Sequence, residues 1–402
     1  MLTAEAQLRT RLESSVFGRS ADALLDGKGK IRRDHLRRAL ALIASADPVT
    51  RASLARSTGL TTATTSSLVN ELIALGLVVE GEQAESTGGK PGTRVEVNRA
   101  FYAVCVVIVR AQSVETVLLD LSGARVLTRE SVHPAGVTPA DVVAVTAEVV
   151  REFRDRVLAV CLQSPGVTDG SVVRESVLLG WKDVPLADLL AEEIDVPVVI
   201  LNDADGEALT ESAFDEVDGV QRLVLRMGEG IGAAVTIDGR VLPGATSRAG
   251  EIGHVAFGGR GSQVRCRCGG LGCIEAVASL TAVLGPDFHD ELEPDAVRAL
   301  LQADGAEERM LLGAEAVAAA LRILSGLTDP HEIVIAGRAP LLGDAFLAAV
   351  REGFATNRAK GTASPPIRFA HDSDPVLGPG RLVLGRVLGV SMLRPAVYPS
   401  GS

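Results

Sequence analysis

The sequence predicts an α/β body of two lobes, preceded by a small helical head that ends in a β-hairpin. Three observations carry this. Residues 31–75 show helical periodicity broken by turn residues, and two short strand-like runs around a Gly-rich loop follow them. From Phe101 the texture changes to apolar, β-branched runs that alternate with amphipathic stretches. A chain of 402 residues has room for two to four folding units, and 47% hydrophobic against 23% charged residues supplies a sizeable core.

In the head, IRRDHLRRALALIAS (31–45) spaces Ile31, Leu36, Leu40 and Ile43 as a helix with a basic outer face, and Asp47-Pro48 stops it. In TRASLARSTGL, Leu54 and Ala55 supply apolar contacts and Gly59 permits a sharp turn. Thr61 can cap the next helix, TATTSSLVNELIALG, which Gly76 ends. Two short helices around a Gly-containing turn are a helix-turn-helix arrangement. On the last helix Thr65, Leu68, Val69 and Leu72 share one side, while Ala63, Ser66, Ser67 and Asn70 share the other. That second side is small and polar and can approach base edges in a major groove. Thr62 and Thr64 stand near the helix N-terminus, where side chains reach DNA, and Arg51 is a further candidate contact. LVVEGEQAES and GGKPGTRVEVN form the hairpin, a wing whose tip is Gly88-Gly89-Lys90-Pro91, with Lys90 and Arg94 available for phosphates. Residues 30–99 thus read as a winged helix-turn-helix, and residues 1–29, which carry no strong pattern, as a partly ordered arm. A small helical protein-interaction module would share the periodicity alone. One helix-turn-helix per chain reads one half-site, so a homodimer on a palindromic operator is expected, or a tetramer built from it.

Charge supports this division. Residues 1–100 hold 14 Lys/Arg and 11 Asp/Glu, a net of +3, while the whole chain is at −11. A mildly basic head on an acidic body fits DNA contact by the head alone. No run of about 18 apolar residues free of charge appears, and MLTAEAQLRTRLESS lacks the apolar stretch of a secretion signal. A cytoplasmic protein without membrane insertion is expected.

In the body, AVCVVIV, ETVLLDLSG and ARVLTRESV read as consecutive strands, followed by the helix PADVVAVTAEVVREFRD and the strand VLAVCLQSPG. VPVVILND, RLVLRMGEG and GAAVTIDG are later strands, and helices follow Glu275. Hairpin, helix and strand recur, which hints at internal duplication. Of five cysteines, Cys105 and Cys161 lie in apolar strands as small core residues. Cys266, Cys268 and Cys273 fall in a C-x-C-x4-C run among Gly269, Gly270 and Gly272. Three thiolates so placed suit Zn²⁺, and His254 upstream can complete a closed tetrahedral set, which makes the metal structural. A reduced, metal-free loop is the alternative.

Polar groups cluster around a ligand site. Asn202-Asp203 follows an apolar strand, where α/β proteins bind ligands. Glu251 lies three residues before His254, and Glu275 two residues after the last cysteine. Each acid alone reads equally as a solvated surface charge.

SPGVTDG, LLGWKDVPL, ILNDADGEAL, RMGEGIGAAVTIDGRVLPGATSRAGEIGH, CRCGGLGCIE and DPHEIVIAG, in this order, resemble the ROK family of repressors, open reading frames and sugar kinases. The head resembles the winged helix-turn-helix of the family's repressors. The resemblance implies an actin-like, ribonuclease-H-like two-lobe sugar-kinase fold over residues 100–402, with a sugar in the cleft. It implies that Asn202, Asp203, Glu251, His254 and Glu275 meet sugar hydroxyls, with His254 also a ligand of the zinc that strengthens the Cys₃His reading. Pro165-Gly166 shapes the cleft wall. Many members carry an Asn shortly before the Gly-Trp that matches Gly180-Trp181, where this chain has Leu178 and Leu179, so one sugar contact is missing.

Kinases of the family carry D-x-G-x-T after the first body strand. Here Arg110, Ala111, Gln112 and Ser113 supply neither the acid nor the glycine that lets backbone N–H groups wrap a phosphate. The second cradle, usually G-T-G, is Gly228-Glu229-Gly230, where a carboxylate would face phosphates. The adenosine-side stretch is altered to Ile335-Ala336-Gly337-Arg338. Asp203 matches the kinases' base and reads here as an acceptor for a sugar hydroxyl. The expectation is a sugar-responsive repressor without kinase activity. The alternatives are a regulator answering to a sugar phosphate or a protein partner, and a DNA-binding sugar kinase.

Overall fold

The computed structural model describes residues 27–45, 49–83, 92–214, 219–356, 364–371 and 374–389. The arm over residues 1–26, the Asp47-Pro48 stop and the wing tip with Lys90 lie outside the described residues.

Helix α1 (Gly27–Ser45) starts before the expected boundary at residue 30 and buries Leu36, Leu40 and Ile43. Ile31, expected on that face, is exposed. Five positions at 3.6 residues per turn carry it about 140° away from Leu36. Helix α2 (Arg51–Thr58) opens on a capping box in which Thr50 and Ser53 satisfy each other's backbone N–H, and Gly59 closes it in the left-handed region. Thr61 accepts the Thr64 N–H to cap α3 (Thr62–Ala74), which buries Thr65, Leu68, Val69 and Leu72 as its periodicity requires. Strands β1 (Val78–Gln83) and β2 (Thr93–Val97) pair antiparallel as the hairpin.

The first lobe holds β3 (Ala103–Val109), β4 (Ser113–Asp120) and β5 (Arg125–Val132) as an antiparallel meander. After α4 (Pro139–Glu152), β6 (Val157–Ser164) pairs parallel to β3. A small antiparallel sheet of β7 (Val167–Thr168), β8 (Val173–Ser176) and β9 (Trp181–Val184) precedes α5 (Leu186–Ala191). Then β10 (Val198–Asn202) adds parallel to β6, and the sheet order is β10-β6-β3-β4-β5. The second lobe repeats this after α6 (Asp203–Glu211). Its strands β11 (Gln221–Met227), β12 (Ile231–Ile237) and β13 (Arg240–Val241) form a second meander. Helices α7 (Ile274–Ala278), α8 (Leu280–Leu284), α9 (Pro294–Leu301) and α10 (Ala306–Thr328) intervene. Strand β14 (Glu332–Gly337), helix α11 (Gly343–Ala355) and strand β15 (Ile367–Phe369) complete a sheet ordered β13-β12-β11-β14-β15. Both sheets are a meander extended by two parallel strands from its first member, so the hinted duplication is real.

Helix α10 is long and apolar enough to cross a bilayer by composition. In this fold Gly313, Val317, Ala320 and Leu321 on it are buried, as expected of a core helix.

The last described helix, α12 (Leu377–Leu388), returns to pack on β3, β6 and α6. Its Val383, Leu384, Val387 and Leu388 join one core with Val104 and Val106 of the first lobe and with Leu36, Leu40, Leu68 and Leu72 of the head. The Tyr102 hydroxyl donates to the Leu75 carbonyl at 2.8 Å across the same seam. Head and first lobe therefore share buried apolar surface, the dominant favourable term in packing.

Candidate functional site

A cleft of about 720 Å³ lies between the lobes. Asn202, Asp203, Glu251, His254 and Glu275 all line it, brought together from β10, α6, the turn before Ile252–His254 and α7. Pro165, Gly166 and Leu178 form part of its wall. Gly166 has a φ of +98°, and a side chain there would overlap the Glu175 carbonyl, so the wall requires glycine.

Asn202 caps α6. Its Oδ1 accepts the Ala204 N–H at 2.7 Å, and its Nδ2 donates to the Gly166 carbonyl at 2.7 Å. Asp203 is held at both oxygens: Oδ1 accepts the Ala204 N–H at 2.9 Å, and Oδ2 lies 3.0 Å from Arg226 Nη1. Burial raises the Asp203 carboxyl above its usual range, and Arg226 opposes that rise. Glu275 Oε2 accepts the Ile231 N–H at 3.2 Å, and its side chain lies 3.8 Å from Arg267. Glu251 is pushed up to about 7, first by burial and then by the Asp203 charge. Burial also lifts Asp205, Glu207 and Glu229 to about 7. Of these, Glu207, Glu229 and Glu251 line the cleft and offer both acceptors and protonated donors to hydroxyls near neutral pH.

Several contributors escape a reading of the sequence. Arg226, at the end of β11, bridges Asp203 and Asp290, with 3.0 Å to each carboxylate. Glu207 lines the cleft from the next turn of α6. Arg267, between two cysteines, donates to the Glu229 carbonyl, so the cysteine loop leans on the cleft. Glu207 alone carried a local signal, four residues after Asp203 on one helix face.

The turn between β3 and β4 is tight, with the Arg110 N–H donating to the Ser113 carbonyl at 2.9 Å, and the Arg110 side chain pairs with Glu115 at 2.8 Å.

Beside the cleft, the ligand atoms of His254, Cys266, Cys268 and Cys273 lie within 4.8 Å of one another, a set that could hold a metal ion. Cys268 and Cys273 sulfurs are 3.7 Å apart, and His254 Nδ1 is 3.7 Å from the Cys266 sulfur. Tetrahedral bonds of about 2.3 Å to sulfur separate two sulfurs by about 3.8 Å, so the spacing fits. A side chain at Gly270 would sit 3.3 Å from the Cys273 sulfur and 3.4 Å from that of Cys268, so the close loop favours glycine. His254 also lines the cleft, which joins the two sites through one ring. Cys105 and Cys161 are fully buried, and burial pushes both thiols up to about 12.

On α3, Thr62, Ala63, Ser67 and Asn70 are exposed, while Thr64 and Ser66 are half-buried. Arg51 does not point free: it donates to the Ser66 carbonyl, to Asn70 Oδ1 at 2.9 Å and to Glu80 at 2.8 Å. It braces α3 against the hairpin. Arg94, on β2, is half-buried.

The sequence profile of the ROK family matches residues 109–385, and that of the MarR family matches residues 37–86. A xylose repressor of Caldicellulosiruptor bescii is 25% identical over 76% of this chain and 83% of its own length. A glucokinase of Halalkalibacterium halodurans is 31% identical over 56% of this chain and 76% of its own. The crystal structure of a ROK family transcriptional regulator, described as a homologue of the E. coli MLC protein, shares the fold with a TM-score of 0.70. It covers 89% of this chain and 96% of that one, at 22% identity.

Proposed function

The chain belongs to the ROK family, and from that premise we propose that it is a sugar-responsive transcriptional repressor of the cytoplasm that transfers no phosphate. The observation that carries this reading is the pairing, in one chain, of an exposed small-polar helix face with a cleft lined by hydroxyl-binding groups. The domain division we adopt is residues 30–99 for DNA, extended back to Gly27 by helix α1, and 100–402 for effector and dimerisation, with the residues before Gly27 as an arm. Homodimers place two α3 helices on the half-sites of a palindromic operator. Thr62, Ala63, Thr64, Ser66, Ser67 and Asn70 face the groove, Lys90 and Arg94 meet phosphates, and Arg51 sets the helix angle. The xylose repressor and the matched MarR family profile support the DNA-binding half.

The effector is a sugar held by Asn202, Asp203, Glu251, His254 and Glu275. Asp203 acts as an acceptor, supported by the Arg226 guanidinium 3.0 Å from its Oδ2, which opposes the rise that burial imposes on its carboxyl. The ion we assign to His254, Cys266, Cys268 and Cys273 is Zn²⁺, in a structural role, since four filled positions leave none for a water. Effector occupancy can reach the head through α12, since Pro375, just before it, lines the cleft and Leu388, at its end, packs in the core shared with α1. A ligand that favours one lobe arrangement shifts that packing by no more than its differential affinity.

The test is a titration of operator DNA with and without a panel of hexoses and pentoses, run beside an ATP-consumption assay. A sugar that changes DNA affinity without ATP turnover is expected. Sugar-dependent turnover at ordinary kinase rates, about 1–100 s⁻¹, overturns the reading.

A further inference from the structure

We propose that the Gly228–Glu229–Gly230 turn is a latent anion site filled by the chain's own Asp290 carboxylate, so that the cleft takes an uncharged sugar and refuses phosphate-bearing ligands. The geometry is that of an occupied cradle. The Glu229 backbone N–H donates to Asp290 Oδ1 at 3.0 Å, and Arg226 Nη2 lies 3.0 Å from Asp290 Oδ2. A backbone donor and a guanidinium converging on one oxyanion is the donor set that takes a phosphate. Gly228 completes it: a Cβ there would lie 2.7 Å from both Asp290 oxygens, so the backbone approaches the carboxylate as glycine loops approach a phosphate. Asp290 is a true occupant, with a side chain only 10% exposed.

The position decides selectivity. The other nitrogen of Arg226 holds Asp203, so the filled cradle abuts the group read as a hydroxyl acceptor. A phosphate entering beside that hydroxyl meets Asp290 and the Glu229 carboxyl, whose Oε2 is buried without a hydrogen-bond partner. The loop that carries Asp290 is fixed to the first lobe as well, since the Ser113 hydroxyl donates to Glu291 at 3.0 Å. The plug is therefore anchored on both sides of the cleft. Its consequence for effector choice rests on the reading of the cleft as a sugar site, while the plug itself does not.

The test uses the purified full chain and inorganic pyrophosphate as probe, by calorimetry. The native protein is expected to show no saturable binding at millimolar pyrophosphate. Asp290→Ala frees the Glu229 N–H and one Arg226 nitrogen and is expected to bind at least about tenfold more tightly, as for one or two hydrogen bonds to a charged group. Asp290→Ala with Arg226→Met is expected to lose that gain. Native protein that binds pyrophosphate as tightly as folded Asp290→Ala overturns the proposal, and so does a folded Asp290→Ala that gains nothing. A second measurement needs no variant. Thermal shifts of the native protein with neutral sugars and their phosphate esters are expected to show no ester more stabilising than its parent sugar, and an ester that is more stabilising overturns the selectivity. If neither class binds, the sugar reading fails while the pyrophosphate result still decides the plug.

Discussion

Replacing Arg226 by Met removes the one charge that stands between Asp203 and Asp290. Both ion pairs are 3.0 Å long, and the three side chains are 16%, 22% and 10% exposed, so bulk water is a poor substitute for the lost partner. Breaking a buried pair by deleting one partner costs about 3–5 kcal/mol. Here two carboxylates are left facing one vacated site, but Asp203 keeps the Ala204 N–H and Asp290 keeps the Glu229 N–H. We expect a loss of about 2–4 kcal/mol in unfolding free energy near neutral pH, discounted for the residual exposure. The sign of its pH dependence follows from linkage. Burial already raises the Asp203 carboxyl above its usual range, and without Arg226 that rise loses its chief opposing charge. The Asp203 contribution is then fully present below the ordinary carboxyl range and is lost as pH rises through its raised value. The deficit should therefore be larger at pH 8 than at pH 5.5. Urea unfolding of both proteins at the two pH values measures it. A loss below about 1 kcal/mol at both pH values would refute the claim that Arg226 holds Asp203 and Asp290 as charged partners.

Protein purified without chelator should carry about one zinc per chain by elemental analysis, as one Cys₃His set requires; Cys268→Ser should lose it, and a metal-free native protein rules the assignment out. With Asp205, Glu207, Glu229 and Glu251 lifted to about 7, unfolding stability of the native protein should rise as pH falls from 8 to 6, and Glu251→Gln should flatten part of that slope. A melting temperature that falls over that range contradicts it. Ser66→Glu should abolish operator binding by placing an anion in the groove, as read by gel shift; undiminished binding means another face reads DNA. Glu251→Ala should blunt the sugar response at least tenfold while leaving DNA affinity without sugar within about twofold, the loss expected for a hydrogen bond to a charged group.

The sequence by itself determined what depends on neighbours along the chain. The α3 burial pattern at Thr65, Leu68, Val69 and Leu72 is a matter of 3.6-residue periodicity, and the Thr61 cap and the turn at Gly59 follow from single-residue chemistry. Cys266, Cys268 and Cys273 sit within eight residues, so their cluster was legible from spacing, and the cleft residues from Asn202 to Glu275 were legible through short motifs. Ile31 does not share the buried face of α1, because five positions at 3.6 residues per turn carry it about 140° from Leu36. The two- to four-residue strands β7, β8 and β9 are too short to show an alternation. What the tertiary structure alone decided is which distant groups meet. Arg226 and Asp290 are separated by 64 residues, and neither carries a local sign of the other. Arg51 reads in the sequence as a candidate DNA contact, and the fold gives its guanidinium to Asn70 and Glu80. The same holds for α12, whose apolar face could have covered any part of the body and instead closes one core with the head. Apolar periodicity says that a face must be buried but not against what, because the hydrophobic effect has no direction, and only the folded chain brings its partner to it.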